Sequence, residues 1–151
     1  MRARELLARA EIVGVVGALG EELCWEVLAA SPWGRLAVVA DDGPEILPVN
    51  FATDGPRIYF RTAPGGKLAA FGHDPRVALE VDGVDEDGAA AFSVMVKGVA
   101  DALDAPSEIE LAESLPLAPW TATRKLRWVR VRAHSITGRA FRLGPEPDSF
   151  V

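Results

Sequence analysis

Turn signals recur at short intervals along the first half of the sequence, and they constrain the fold more than any other feature. Asp41-Asp42-Gly43-Pro44, Asp54-Gly55-Pro56 and Asp74-Pro75 each combine residues that favour tight turns or chain breaks. Between these breaks apolar and polar residues alternate, as they do over residues 45–53, which is typical of half-buried strands. Short strands joined by tight turns, with few helices, favour an antiparallel β-barrel or sandwich over a doubly wound sheet.

The residue patterns predict a mainly β chain with a few helices. The predicted strands are residues 34–40, 45–53, 57–62, 76–82, 89–103, 125–133 and 138–143, and the predicted helices are residues 20–30, 66–72 and 106–115. We expect a single domain over residues 1–151, in which residues 1–19 form an N-terminal helical extension and residues 145–151 a loose tail.

Two predicted strands depart from regular alternation. Gly98 interrupts the long fifth strand, which indicates a β-bulge or a close approach of another backbone. In the sixth strand Leu126 and Trp128 share one face, whereas Val129 and Val131 share the other. This switch predicts either a bulge or a strand that changes its packing partner.

The composition is typical of a globular chain that needs no cross-links. The 151 residues are 49% apolar and 25% charged, and the single cysteine, Cys24, excludes an intramolecular disulfide and a cysteine-based metal site. Cys24 is interpreted as a small buried helix residue. No apolar run approaches the length of a membrane span, and Arg9 and Glu11 interrupt any signal peptide. We expect a cytoplasmic protein.

The charge is unevenly distributed along the chain. The net charge of −6 argues against broad nucleic-acid binding. The span between Glu113 and Glu146 nevertheless contains seven lysines and arginines and no carboxylate, whereas residues 80–87 are acidic. A confined basic segment favours a local anionic ligand. Alternatively, its arginines pair with the acidic segment across the fold, and both interpretations stay open.

Residues 59–68 combine the groups that a phosphate requires. The segment ends a predicted strand, turns at Gly65-Gly66 and opens a helix. Arg61 and Lys67 supply positive charge, Thr62 supplies a hydroxyl, and the glycines let backbone N–H groups approach a ligand. A Walker A loop is excluded, because position 61 is not glycine and position 68 is not serine or threonine. The alternative is a plain turn followed by a solvated lysine.

Seven short motifs occur in an order that resembles one protein family. They are Gly34-Arg35-Leu36-Ala37, Leu47-Pro48-Val49-Asn50-Phe51, Ile58-Tyr59-Phe60-Arg61-Thr62 with Gly66-Lys67-Leu68, Val77-Ala78-Leu79-Glu80-Val81-Asp82, Phe92-Ser93-Val94-Met95-Val96-Lys97-Gly98, Leu117-Ala118-Pro119-Trp120 and Ile136-Thr137-Gly138-Arg139. From about Glu22 to Leu143 the chain resembles the pyridoxamine 5'-phosphate oxidase-like, FMN-binding split-barrel proteins. The resemblance implies a six- or seven-stranded antiparallel Greek-key barrel that forms a homodimer, with FMN in a groove between the subunits.

The resemblance also implies a set of cofactor-binding residues: Val49, Asn50, Phe60, Arg61, Thr62, Lys67, Leu68, Ser93, Trp120 and Arg127. Val49 and Asn50 would line the flavin, while Arg61, Thr62 and Lys67 would hold its phosphate. Ser93 occupies the strand position at which the oxidases proper carry a polar flavin contact. Trp120 and Arg127 would come from the partner subunit.

The C-terminal segment departs from the family pattern. The true oxidases carry a Trp-x-x-x-Arg type segment that helps to hold pyridoxal phosphate, whereas this chain has Arg139-Ala140-Phe141-Arg142-Leu143 and then an acidic, proline-containing tail. The resemblance therefore implies an FMN-dependent oxidoreductase that acts on a small molecule other than a B6 vitamer.

Other functions remain open on the same fold. A deazaflavin coenzyme has a longer anionic tail, which Arg124, Arg127 and Arg130 could hold. A flavin- or haem-binding sensor would need no turnover, and a β-barrel interaction module would need no cofactor. His73 and His134 are interpreted as a helix-end residue and a solvent-facing residue, although either could donate a proton or ligate haem. No catalytic residue is assigned.

Overall fold

The computed structural model describes residues 5, 8–10, 12, 14–118 and 127–146. The strands of this part are β1 (Val16–Leu19), β2 (Trp33–Ala40), β3 (Gly43–Asn50), β4 (Ala52–Asp54), β5 (Arg57–Thr62), β6 (Arg76–Val84), β7 (Ala90–Ala102) and β8 (Arg127–Arg142). The helices are α1 (Glu21–Ala30), α2 (Gly66–His73) and α3 (Pro106–Glu113). The predicted fold class, a mainly β antiparallel split barrel with a few helices, is confirmed.

One antiparallel sheet contains all eight of the described strands, in the order β3-β2-β6-β7-β8-β5-β4, and β1 adds to β8. The sheet curls so that β3 contacts β5 near the two ends of this order. Pro44 and Pro48 lie in β3, which is an edge strand of the sheet. Proline has no N–H donor, and an edge strand loses least stability from the missing hydrogen bond. The inner face of the curled sheet holds the main core.

Helix α1 covers this core because its apolar residues recur at helical spacing. The apolar residues of this face, Leu23, Cys24, Val27 and Leu28, are all buried. Burying a leucine or valine side chain stabilises the folded state by about 1.5–3 kcal/mol. Burial raises the pKa of the Cys24 thiol, which favours its neutral form. The interpretation of Cys24 as a small buried helix residue is confirmed.

The C-terminal strand corrects the sequence prediction. Residues 125–133 and 138–143 were expected to form two strands, but β8 runs without interruption from Arg127 to Arg142. It pairs with β7 along almost its whole length, while its other edge pairs with β5 at one end and with β1 at the other. These long-range partners keep residues 134–137 extended although no local pattern marks them as a strand.

The switch of the apolar face at Trp128-Val129 has a different cause from a bulge. Alternation is regular there, and Val129 and Val131 face the main core. Trp128 projects from the other face into a second cluster with Tyr59, Leu103 and Ala112. Of the two predicted explanations the bulge is therefore wrong, and the change of packing partner applies, because Trp128 and Val129 pack in different clusters on the two faces of β8.

The predictions for the N-terminal segment and for the second strand also need correction. Val16–Leu19 forms β1 inside the segment expected to be a helical extension, because the β8 edge offers it a pairing partner. The segment predicted as one strand over residues 45–53 is divided at Phe51 into β3 and β4. β4 and β5 form a hairpin, whereas β3 pairs with β2. The eight strands thus exceed the six or seven expected.

No helix in the described part of the chain is long and apolar enough to cross a bilayer.

Candidate functional site

The predicted phosphate-binding residues lie at the junction of β5 and α2. Thr62 is the last residue of β5, and α2 begins at Gly66 after a short turn. Gly65 has a φ of 149°, a conformation that side-chain-bearing residues rarely adopt, so the turn requires glycine at this position. The sequence prediction of a strand, a glycine turn and a short helix is confirmed here.

The start of α2 is open to a ligand. Its N-cap residue, Gly65, has no side chain to accept hydrogen bonds from the first helical N–H groups. No atom lies within 4 Å of the position that a Cβ on Gly65 would take, so the space beside this helix start is free in the described part of the chain. Leu68 packs against the main core and anchors the first turn. Lys67 lies in the same turn, and its side chain is outside the described parts.

Alternation along β5 separates the predicted residues between two faces. Phe60 and Thr62 point towards the core, and Arg61 points to the opposite side. Phe60 is only 1% exposed and makes an edge-to-face contact with Phe71, with ring centroids 6.1 Å apart. The side chain of Phe60 therefore lies in the core, and only its backbone is placed to contact a ligand.

Arg61 is held against Trp128, its register partner on β8. The guanidinium carbon lies 5.3 Å from the centroid of the indole ring, within the range of a cation–π interaction. The Nε atom of Arg61 is buried and has no hydrogen-bond partner among the described residues. An unsatisfied buried donor costs roughly 1–3 kcal/mol, so this nitrogen indicates a missing acceptor.

Arg127 repeats this feature on the neighbouring strand. It lies opposite Thr62 in the β5–β8 register, and one terminal nitrogen donates to Asp104 Oδ1 at 3.2 Å. Its Nε atom is likewise buried, and no residue in the described part of the chain accepts a hydrogen bond from it. Thr62 itself is buried, and its hydroxyl donates weakly to the carbonyl of Ala63 at 3.3 Å. Two unsatisfied guanidinium donors thus lie on adjacent strands at the end of β5.

The remaining predicted residues lie on other strands. Val49 is buried in the core, and the Asn50 side-chain amide donates to the Pro32 carbonyl at 3.3 Å. The Ser93 hydroxyl on β7 donates to Glu80 Oε1 at 3.3 Å. Trp120 lies outside the described residues. The described residues therefore group Arg61, Thr62 and Arg127 with the start of α2, and not with Ser93.

The basic segment finds its partners on α3 and the end of β7. Arg130 donates to Asp101 and Glu108, both at 2.8 Å, and these carboxylates raise its pKa above the ordinary value. Arg132 pairs with Asp101 at 3.3 Å. The expectation that Arg127, Arg130 and Arg132 pair with residues 80–87 is wrong, because β8 is adjacent to β7 and not to β6.

Two carboxylates of residues 80–87, Glu80 and Asp82, form ion pairs with an arginine outside the basic segment. They pair with Arg35 on the neighbouring strand β2, at 3.1 and 2.8 Å. The sequence reasoning missed this pairing, and it missed the contact between Arg61 and Trp128. Both contacts depend on which strands are neighbours in the sheet. In the sequence, only the similar alternation of apolar and polar residues in the paired strands could have indicated them.

The histidines lie away from this site. His73 ends α2, and its side chain is 72% exposed with Asp41 Oδ1 3.7 Å away. His134 is exposed, as predicted, but it lies within β8 and not at a strand end. In the described part of the chain no group of three or more His, Cys, Asp or Glu side chains could hold a metal ion.

Comparisons with known proteins agree on the family. A family model described as pyridoxamine 5'-phosphate oxidase matches residues 20–140. An uncharacterised protein of Mycobacterium tuberculosis is 46% identical over 94 residues, which cover 62% of this chain and 84% of that protein. A crystal structure from Corynebacterium glutamicum is 35% identical with a TM-score of 0.75, covering 89% of this chain and 99% of the other.

A flavin-binding relative is similar over most of its length. The FAD-binding protein of Mycobacterium smegmatis is 31% identical, with a TM-score of 0.71, and the match covers 87% of this chain and 100% of that one. The resemblance inferred from the seven motifs is confirmed. Because the family model covers most of the sequence and the fold agrees, the chain belongs to the pyridoxamine 5'-phosphate oxidase family.

Proposed function

We propose that this protein binds FMN, with the phosphate at the junction of β5 and α2, and acts as an oxidoreductase on a small organic molecule. The observation that carries the proposal is the pair of buried Nε atoms of Arg61 and Arg127, which have no hydrogen-bond partner within the described ranges. A phosphate offers several strong acceptors and two negative charges, so it can satisfy donors that the protein leaves unpaired.

The surroundings of these nitrogens support a phosphate rather than a neutral ligand. The uncapped start of α2 directs backbone N–H groups and the positive end of the helix dipole towards the same junction. Thr62 contributes a hydroxyl, and Lys67 lies in the first helical turn. Each charge-assisted hydrogen bond contributes roughly 1.5–3 kcal/mol, so a few such bonds account for a large share of FMN binding.

A bound flavin supplies the redox chemistry through its ring, and the protein supplies binding and orientation. In this proposal Val49 and Asn50 on β3 border the ring, Ser93 provides a polar contact, and Trp120 approaches from a second subunit. Arg127 acts beside Thr62 of the same chain, and not from the partner as the resemblance implies. A sensor protein would share these contacts but would not turn over. Anaerobic reduction of the bound flavin by NADH or NADPH therefore distinguishes an enzyme from a sensor.

FAD is a second candidate cofactor, favoured by the FAD-binding relative from Mycobacterium smegmatis. Both nucleotides carry phosphate next to the ribityl chain, so the same donors could hold either one. A deazaflavin would also use these donors. The absorbance spectrum of the purified protein separates flavin, deazaflavin and haem, and chromatography of the released flavin separates FMN from FAD.

The test of the phosphate site compares ligands that differ only in that group. Calorimetric titration of the flavin-free protein should show that FMN binds at least tenfold more tightly than riboflavin, which lacks phosphate. Arg61→Met should weaken FMN by about ten- to a hundredfold and leave riboflavin nearly unchanged. The matched control is Arg57→Met, because Arg57 lies on the same face of β5 and is exposed. Equal affinities for FMN and riboflavin would overturn the proposed site.

A further inference from the structure

A second cleft on the sheet has features that the proposed phosphate site does not use. It has a volume of about 450 Å³ and opens on the outer face across β2, β6, β7 and β8. Its apolar surface is built from small residues, among them Ala37, Val39 and Ala78. Arg76, Lys97 and His134 stand around it, and none of its described lining residues is a carboxylate. A cleft of this volume is in the range of small-molecule sites.

A β-bulge borders this cleft. Lys97 lies opposite Ser135 and Gly98 lies opposite Ala133, so His134 is an extra residue without a register partner. The bulge exposes His134 on the outer face of the sheet, beside Lys97. A Cβ on Gly98 would lie 2.2 Å from the carbonyl oxygen of Arg132, so the two strands can approach this closely only with glycine there.

The charge at the cleft is mostly uncompensated. Arg76 forms an ion pair with Asp74, in which a terminal guanidinium nitrogen lies 2.7 Å from Asp74 Oδ2. This pair lowers the pKa of the Asp74 carboxyl to about 2. Lys97 and His134 form no ion pair within the part of the chain that the structure describes. One full positive charge and one imidazole N–H donor therefore face the apolar surface.

We infer that this cleft binds the carboxylate of a small organic acid whose flat apolar body lies on the alanine and valine surface. A monoanion matches the single uncompensated lysine, and an inorganic anion would leave the apolar surface uncovered. His134 would donate the second hydrogen bond to the carboxylate.

The same cleft is placed to take part of the substrate, and this role rests on the proposed function. Ser93, Met95 and Lys97 project from one face of β7, so Lys97 lies about 13 Å along the strand from the predicted flavin contact Ser93. A substrate whose carboxylate is held by Lys97 could extend its other end towards the flavin ring.

The experiment uses benzoate as the probe and benzamide as a neutral ligand of the same shape. Binding is measured by saturation-transfer NMR on the purified protein, with and without bound flavin. We expect benzoate to bind at least tenfold more tightly than benzamide. Lys97→Met should remove about tenfold of this preference, and His134→Ala should weaken benzoate while His134→Gln, which keeps an N–H donor, restores part of the loss.

The control variant is Arg142→Met, because Arg142 is an exposed cation at the far end of β8. It should leave the affinity for benzoate unchanged. Equal binding of benzoate and benzamide, or an unchanged preference in Lys97→Met, would overturn the inference. Binding of benzoate through Lys97 in a protein that takes up no flavin would support the carboxylate site and reject the proposed function.

Discussion

Arg61 and Thr62 are adjacent in the chain but project from opposite faces of β5, and this geometry restricts where a shared phosphate can lie. Two side chains on opposite faces can reach one ligand only beyond the end of the strand. Thr62 is the final residue of β5, and the glycine turn and the start of α2 follow directly. The phosphate of the proposed FMN site therefore lies at the strand end and not over either face.

Thr62 offers a sharp test at this scale. Thr62→Val keeps the shape of the side chain but removes the hydroxyl, so it should weaken FMN by about tenfold, the loss expected for one hydrogen bond to a charged group. Thr62→Ser keeps the hydroxyl and should retain most of the affinity. Fluorescence titration with FMN measures both variants. If valine and serine behave alike, the Thr62 hydroxyl does not contact the phosphate.

At the scale of elements, β8 organises the fold because its two edges take different partners along its length. Gly98 allows β7 to follow β8 past the bulge at His134. The pairing of β8 with β5 places Trp128 beside Arg61, and its pairing with β7 places His134 beside Lys97. Both the proposed phosphate site and the proposed carboxylate cleft thus depend on the register of β8.

Gly98→Ala tests this dependence. The added Cβ would also lie 2.9 Å from the Arg132 carbonyl carbon, so the backbones must separate, at a cost of about 1–3 kcal/mol in the free energy of unfolding. Gly72→Ala is the control, since nothing lies within 4 Å of its Cβ position and alanine favours helix α2 by about 0.5–1 kcal/mol. Urea denaturation should therefore shift in opposite directions for the two variants. A neutral Gly98→Ala would contradict the close approach.

The sequence predicted the local parts of this arrangement and missed the parts set by distant partners. Gly98 indicated the bulge or close approach that the structure contains, and the strand over residues 57–62 was predicted with its observed bounds. The continuity of β8 was missed, because residues 134–137 carry no strong strand pattern and are held by β7. The buried Nε of Arg61 could not be predicted either, since it depends on Trp128 more than sixty residues away.

At the scale of the whole molecule, the curled sheet leaves apolar side chains on its outer face. Ile46 is 68% exposed on β3 and Met95 is 38% exposed on β7. Exposed apolar side chains on one face of a sheet are typical of an association surface. We propose that a second copy of the chain adjoins this face and completes the flavin groove, as the family resemblance implies, and that the cleft beside Lys97 opens into the groove between the two subunits.

If the protein is a homodimer with a shared flavin groove, its molecular mass in solution and its flavin content should change together. Light scattering should give about twice the chain mass of 16.1 kDa. Ile46→Glu adds a charge to the outer face, so it should shift the protein towards a monomer and lower its flavin content, because a groove shared between subunits is then incomplete. The matched control is Leu111→Glu, which is also exposed but lies on helix α3 and not on a strand of the sheet, and it should remain dimeric and flavin-bound. Circular dichroism establishes that both variants are folded. A wild-type monomer that retains flavin would show that one chain forms the whole site, and the shared groove would then be rejected.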